Sequence, residues 1–407
     1  MEEYSFMQET IKDEHLGPKK IAAKVGKWLG LGLVFGMAAC VSFCALEPWA
    51  RETFKGEPNE VDISSEEDGN EEADLTQQAE ENGQKQELTL NDYYILNNEL
   101  KLAAKEAQKS VVELSGISEN ADWTTGPSNV IGSTAGLIVA DNGRELLILA
   151  DYSSVKSTKI FQVKFADGSV HQAAFKQKDG TLDFAVFSVA KDGISESTNE
   201  QIKIANFGNS KRLGQGRTLI AVGRPFGYAN GVGYGVASTL SESVTLADGE
   251  YNIIVTDMQK VDGGSGFLFD IYGNVMGFIE SSLGKGTLAA YSISDITAEI
   301  ELMSNGKYVP YAGIVGIMVT EETSELYEIP VGLYVTEVEM DSPAMNAGVQ
   351  NGDIITKVGD ISVTSLDQYH DALYKTEAGR SVKVKGQRYG TDSYVSMDFT
   401  VTIGIKE

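Results

Sequence analysis

From Trp28 to Leu46 (WLGLGLVFGMAACVSFCAL) the chain runs without a charged residue. A helix of that length spans about 28 Å, close to the hydrocarbon thickness of a bilayer. Trp28 and Trp49 stand at its ends, Lys19, Lys20, Lys24 and Lys27 precede it, and Glu47 follows. Interfacial aromatics and the positive-inside rule then predict one transmembrane helix over residues 28–46. The tail 1–27 is expected to be cytoplasmic and the bulk of the chain extracytoplasmic. The competing reading is a cleaved signal peptide, with Met37-Ala38-Ala39-Cys40 near a lipoprotein-type cleavage site. Both the charged lead and the apolar run are long for that. Gly32 and Gly36 also have the spacing of a helix-pairing face.

The hydrophobic pattern changes three more times. Residues 47–93 are acidic and poor in apolar side chains, for example SSEEDGNEEADLTQQAEENGQ. Such a segment buries too little surface to offset its ordering entropy, so a disordered spacer is expected. Residues 94–112 (YILNNELKLAAKEAQKSVV) have helical spacing and good helix formers. Short apolar runs then follow one another to about residue 290: AGLIVA, ELLILA, IFQVKFA, FAVFSVA, RTLIAVG, YNIIVTD, FLFDIYG and VMGFIE. Gly, Asn and Asp turns separate them, the signature of antiparallel barrels or sandwiches. After residue 308 strands alternate with short helices over a domain-sized stretch, and the boundary is placed near Asn305-Gly306.

Composition narrows the partners. The 407 residues carry a formal net charge of -26, which argues against nucleic acid, because that ligand needs a basic face. The only cysteines, Cys40 and Cys44, both lie in the apolar run, so there is neither a disulfide framework nor a cysteine zinc site. No metal or cofactor is expected.

The candidate chemistry lies in VDGGSGFLFDIYGNVMGF (261–278), where Ser265 stands between glycines before an apolar strand. Taken alone, Gly-Gly-Ser-Gly is a barrel turn. It comes after other blocks, however: STAGLIVADNGRELLILADYSSV (133–155), DGTLDFAVFSVA (179–190), RTLIAVGRPFGYANGVGYGVAS (217–238) and YNIIVTDM (251–258). In this order they resemble the HtrA/DegP-type trypsin-like serine proteases that carry a C-terminal PDZ domain. The resemblance implies a mostly β fold: a chymotrypsin-like double β-barrel over 94–306, then an α+β PDZ domain over 307–407. It implies Ser265 as nucleophile, Asp183 as the triad carboxylate, and an oxyanion hole from the amides of Gly263, Gly264 and Ser265. It also implies assembly as a homo- or hetero-trimer.

The departures from the family pattern bear on the chemistry. The family's T-N-x-H-V-V is here Ala150-Asp151-Tyr152-Ser153-Ser154-Val155, so Ser153 stands at the histidine position. The three histidines, His15, His171 and His370, fall outside that block. A serine hydroxyl needs an adjacent base, and a second hydroxyl is hardly more basic than the first. Loss of the triad histidine lowers kcat by about 10⁶ in a comparable hydrolase. Ser153 or Ser154 is expected to donate to Asp183 in place of the imidazole. Lys156 and Lys260 are the candidates for a substitute base, since Ser-Lys pairs exist in other folds. The nucleophile loop is also one residue short and lacks the family's proline at Phe267.

YAGIVGIMVTEE (311–322), VGLYVTEVEMDSPAMNAGVQNGDIITKVGDISVTSLDQYHDAL (331–373) and SVKVKGQRYG (381–390) resemble the PDZ domain of the same family. That implies a groove which adds an incoming peptide as an extra strand. The amides of the loop Tyr311-Ala312-Gly313-Ile314 would receive a terminal carboxylate, and the helix near Leu366–Tyr374 would line the pocket. The expected function is therefore that of a membrane-anchored, catalytically impaired protease homologue. It would bind polypeptide C-termini or unfolded proteins, in quality control or as partner of an active homologue. The alternatives are an active endopeptidase with a non-standard base, and a scaffold whose short tail signals inward.

Overall fold

A computed structural model of the chain describes residues 58–63, 89–118 and 130–406. The proposed cytoplasmic tail and membrane span, and much of the acidic spacer, lie outside the described residues. Among those described, no helix is long and apolar enough to cross a membrane. The described residues from 59 onward form one compact unit.

The first helix, α1 (Leu90–Gln108), begins four residues before its expected start. Thr89 caps it: its Oγ1 accepts from Asp92 N–H at 3.3 Å while the Asp92 carboxylate accepts from Thr89 N–H at 2.8 Å. It also ends before Val111-Val112. Those β-branched residues open β1 (Val111–Ile117), whose alternate side chains enter the barrel.

β1 is followed by β2 (Val130–Asp141), β3 (Glu145–Asp151), β4 (Ile160–Lys164), β5 (Val170–Lys178) and β6 (Phe184–Ala190). They close in the order β1-β2-β3-β6-β5-β4. The second barrel uses β7 (Asn206–Phe207), β8 (Thr218–Arg224), β9 (Gly231–Leu246), β10 (Gly249–Gln259), β11 (Ser265–Phe269), β12 (Asn274–Ile279) and β13 (Thr287–Ser292). Its order is β11-β8-β9-β10-β13-β12, closed by β11 on β12, with β7 lying parallel beside β12. Strands buried on both faces, such as β6 and β11, are mostly apolar and buried along nearly their whole length, whereas β4 alternates. Leu137, Leu149, Phe184, Val222, Phe267 and Phe278 form one shared core, so the barrels pack directly on each other.

Helix α2 (Ile293–Ser304) ends the barrels and buries Ile293, Ile296, Ile300 and Met303. Part of the segment expected as a disordered spacer docks here, a correction to the reading of 47–93. Val61 is buried, and Asn305 pairs with it through both amide groups, at 2.9 Å each. Val61 and Ile63 are the apolar residues of an otherwise acidic stretch, and both join the barrel core.

The last sheet holds β14 (Ile314–Val319), β15 (Gly332–Val338), β16 (Ile354–Val358), β17 (Ile361–Ser362), β18 (Ser381–Tyr389) and β19 (Tyr394–Thr402). Its order is β14-β15-β16-β18-β19, which leaves β14 on an edge, and β17 pairs with β16. Helix α3 (Leu366–Tyr374) buries Tyr369, Ala372 and Leu373 against this sheet.

Candidate functional site

Ser265 is the first residue of β11, opposite Arg224 of β8, and is 4 % exposed. The next residue must be glycine: Gly266 has φ +146°, and a Cβ there would lie 2.3 Å from Val222 O. The Ser265 Oγ accepts a hydrogen bond from Ala135 N–H of β2 at 3.1 Å. Among the described residues the hydroxyl proton has no acceptor. Gly264 N–H is committed to Val261 O at 3.0 Å, which corrects its assignment as an oxyanion donor. Gly263 and Ser265 are the amides left for that role.

The serines of the histidine-like block behave otherwise than expected. Ser153 Oγ donates to Asp151 Oδ1 at 2.6 Å and Ser154 Oγ to Asp151 Oδ2 at 2.5 Å. Ser153 N–H adds a third bond to Oδ1 at 2.8 Å. A hydroxyl has one proton to give, so neither serves Asp183. The reason is local: Asp151 is buried at the end of β3, and the turn after it aims both hydroxyls back at its carboxylate.

Asp183 has φ +55° and accepts Tyr152 N–H on its backbone oxygen at 2.9 Å. Its side chain is half exposed and stands 3.6 Å from Lys156 Nζ. Lys156 thus faces Asp183, and Lys260 Nζ reaches Gly284 O at 3.5 Å; neither ammonium is bonded to Ser265. His171 lies on β5 with its ring 5.4 Å from Phe165, and His370 lies on α3. Neither imidazole is hydrogen-bonded to Ser265.

Sequence reasoning missed Glu280. Gly266 pairs with Ile279 as the last rung of the β11–β12 ladder, and Ser265 and Glu280 are the residues just beyond that rung on the two chains. Burial pushes its carboxyl above the usual range, Ser282 N–H opposes that, and the charges of Asp151 and Asp183 add to the rise. Only the pairing register could have singled it out. Beside it, Pro225, Lys260, Val261, Gly264 and Ser281 enclose a hollow of about 10 Å³, room for one water.

In the last domain, the loop 311–314 is arranged around a carboxylate that belongs to the chain itself. Asp248, at the turn between β9 and β10, accepts from Ala312 N–H at 2.7 Å, Gly313 N–H at 2.8 Å and Ile314 N–H at 3.1 Å. Tyr369 Oη donates to it at 2.7 Å, and Asp248 N–H donates to Ile314 O at 2.7 Å. Gly313 has φ +83°, which lets consecutive amides converge, and a Cβ there would meet the Ser342 side chain at 2.3 Å. Tyr311 keeps its own hydroxyl on Glu339. In sequence, Asp248-Gly249 is only a hairpin turn, and nothing local distinguishes it.

Comparison with known proteins agrees with this architecture. Residues 134–278 match the trypsin-like peptidase domain family and residues 313–398 the PDZ domain family. The Serine protease Do-like HtrA of Lactococcus lactis subsp. cremoris is 30% identical over 282 residues, covering 63% of this chain and 68% of that protein. The chain belongs to the HtrA family of serine protease homologues. The like-named protein of Lactobacillus helveticus is 27% identical over 297 residues, 68% of this chain and 70% of that one. Among solved structures, the HtrA-type protease AlgW with decapeptide superposes with a TM-score of 0.52 at 18% identity, covering 76% of this chain and 99% of that chain. That likeness concerns the fold alone. Within this HtrA-family chain the trypsin-like match spans Ser265, Asp183 and Ser153, and the PDZ match begins at Gly313.

Proposed function

We propose that this HtrA-family protein acts mainly by holding polypeptides through its PDZ domain, with a serine site that lacks a working base. The observation that carries the reading is the state of Ser265. Its oxygen is an acceptor for Ala135 N–H, its proton has no acceptor among the described residues, and the hollow beside it admits one water. Nucleophilic attack needs the proton removed, and nothing stands hydrogen-bonded to do so. Membrane anchoring through residues 28–46, an extracytoplasmic location and assembly as a trimer belong to the same reading. Exposed Tyr93, Tyr94, Ile95 and Leu96 on α1 offer an apolar surface for self-association.

Fluorophosphonate labelling of the purified protein, beside Ser265→Ala, tests the proposal. No labelling of the wild type and no cleavage of casein are expected. Labelling at Ser265 with casein cleavage overturns it.

One observation favours a second reading, an active endopeptidase. Glu280 and Ser265 flank the last rung of the β11–β12 ladder, and burial makes Glu280 a better proton acceptor than an ordinary carboxylate. The carboxylate would take the Ser265 proton as Oγ attacks, then return it to the leaving amine. Labelling would then rise with pH as Glu280 ionises and vanish in Glu280→Gln. Labelling that persists in Glu280→Gln removes this base.

A further inference from the structure

We propose that the β9–β10 hairpin is an internal ligand of the PDZ groove: the Asp248 side chain occupies the seat of a terminal carboxylate, and an incoming polypeptide C-terminus binds by expelling it. The proposal rests on the reading that this groove takes polypeptide C-termini.

The seat has the chemistry of carboxylate capture. Three consecutive backbone N–H groups, of Ala312, Gly313 and Ile314, converge on one carboxylate, and a phenol adds a fourth donor. A charged acceptor is what such a nest selects. The backbone follows the same logic. Asp248 N–H donates to Ile314 O, which makes it the first rung of a strand added at the edge of β14.

The surroundings are shaped for the hairpin tip. Ala247, Asp248 and Gly249 are buried, while Glu242, Ser243 and Glu250 on its stem are exposed. Gly249 cannot be larger: a Cβ would lie 2.9 Å from His370 Nε2 and 2.9 Å from the Tyr251 ring. Asp248 itself has φ +64°, a conformation in which only Gly, Asn and Asp are at ease.

The competition favours a true C-terminus. The hairpin supplies one backbone rung and then turns away into the second barrel. A peptide would supply the same carboxylate and continue along β14, which has no strand on its outer side among the described residues and exposes Ile317 there. The tip is a regular ladder from Gly249–Leu246 to Ile253–Glu242, and its register shifts only at the base, between Ile253 and Val255 and between Val255 and Thr256, where the arm would bend to leave the seat. A seated Asp248 lowers the apparent affinity of any C-terminus by the fraction of time the seat is empty.

The test uses the full chain with two readouts. The first is amide hydrogen exchange at Ala312, Gly313 and Ile314 in wild type, Asp248→Gly and Asp248→Asn. Glycine suits the positive φ, so removal of the carboxylate adds no strain. Exchange is expected to be slow in wild type and at least tenfold faster in Asp248→Gly. Equal exchange means that Asp248 is not seated and overturns the proposal, whatever peptides do.

The second readout is fluorescence anisotropy with labelled decapeptides ending in Ala, Val, Leu or Phe. Each is used as the free carboxylate and as its C-terminal amide. At least tenfold tighter binding of the free-carboxylate forms to Asp248→Gly, with no gain for the amides, supports the proposal. Equal binding to wild type and variant overturns the competition and leaves peptide binding standing. No binding to either protein, with the exchange difference present, overturns the competition because the peptide-binding reading has failed, and makes Asp248 a fixed clasp between the domains. Tyr369→Phe, which removes one donor and leaves the fold's backbone bonds untouched, should give an intermediate gain.

Discussion

Tyr374 on the PDZ helix donates its hydroxyl to the Glu299 carboxylate on α2 at 2.7 Å, across the junction between barrels and PDZ domain. Tyr251 approaches the same oxygen at 3.4 Å, and the other, Oε2, is buried with no hydrogen-bond partner among the described residues. A carboxylate so placed resists ionisation. Burial, with the charge of Asp179 nearby, raises Glu299 from 4.5 to about 8.

That shift gives a pH prediction. The folded chain keeps the Glu299 proton up to about pH 8, whereas the unfolded chain loses it near 4.5. Between those values the folded state binds more protons, so stability falls as pH rises. The contribution of this group has a slope of up to about 1.4 kcal/mol per pH unit. Glu299→Gln keeps an acceptor for Tyr374 without the charge, and should flatten the fall. Thermal unfolding from pH 5 to 8.5 checks this. Parallel curves for wild type and variant would contradict it.

Ser153→His should restore reactivity if the base is the only group missing. Labelling of Ser265 by a fluorophosphonate is expected to rise by about 10²–10⁴-fold, the usual contribution of a positioned general base. A side chain at position 153 follows Tyr152, whose N–H bonds the backbone oxygen of Asp183. Unchanged labelling would locate a second defect in the loop at Gly263-Gly264-Ser265 or in the narrow hollow beside Glu280.

Arg388→Met should destabilise the PDZ domain by about 3 kcal/mol. Arg388 grips Asp353 through Nε at 2.6 Å and Nη2 at 2.8 Å, and Asp353 is wholly buried. Removal of the cation leaves a buried charge with Gln350 N–H as its remaining donor. Urea unfolding measures the loss, and a change under about 0.5 kcal/mol would mean that water enters and solvates Asp353.

Gly249→Ala should cost about 1–3 kcal/mol through overpacking. The added methyl meets His370 and Tyr251 in a junction that is already filled. A shift of the urea midpoint without a change of slope is the expected result.

Much of the architecture was legible along the chain. Apolar runs such as ELLILA and FAVFSVA with turn residues between them specify buried strands, and period and length are local properties. The order of blocks around Ser153, Asp183 and Ser265 also stood in the sequence. The start of α1 was missed because the capping pair Thr89 and Asp92 lies in a stretch whose composition reads as disordered. The docking of Val61 was missed because it depends on Asn305, far away in the chain.

The sequence by itself determined which residues are available: a serine in a glycine loop, no histidine in its block, and a glycine loop before β14. Only the tertiary structure decided what those groups face. The hydroxyls of Ser153 and Ser154 turned to Asp151 because a contact two or three residues away costs less closure entropy than one across the cleft. Glu280 came to the Ser265 end of β11 through the β11–β12 register. Asp248 reached the amides of Ala312, Gly313 and Ile314 through the packing of one domain on another. Hydrogen bonds need partners within about 3 Å, and chain order carries no such distance between residues that lie dozens of positions apart.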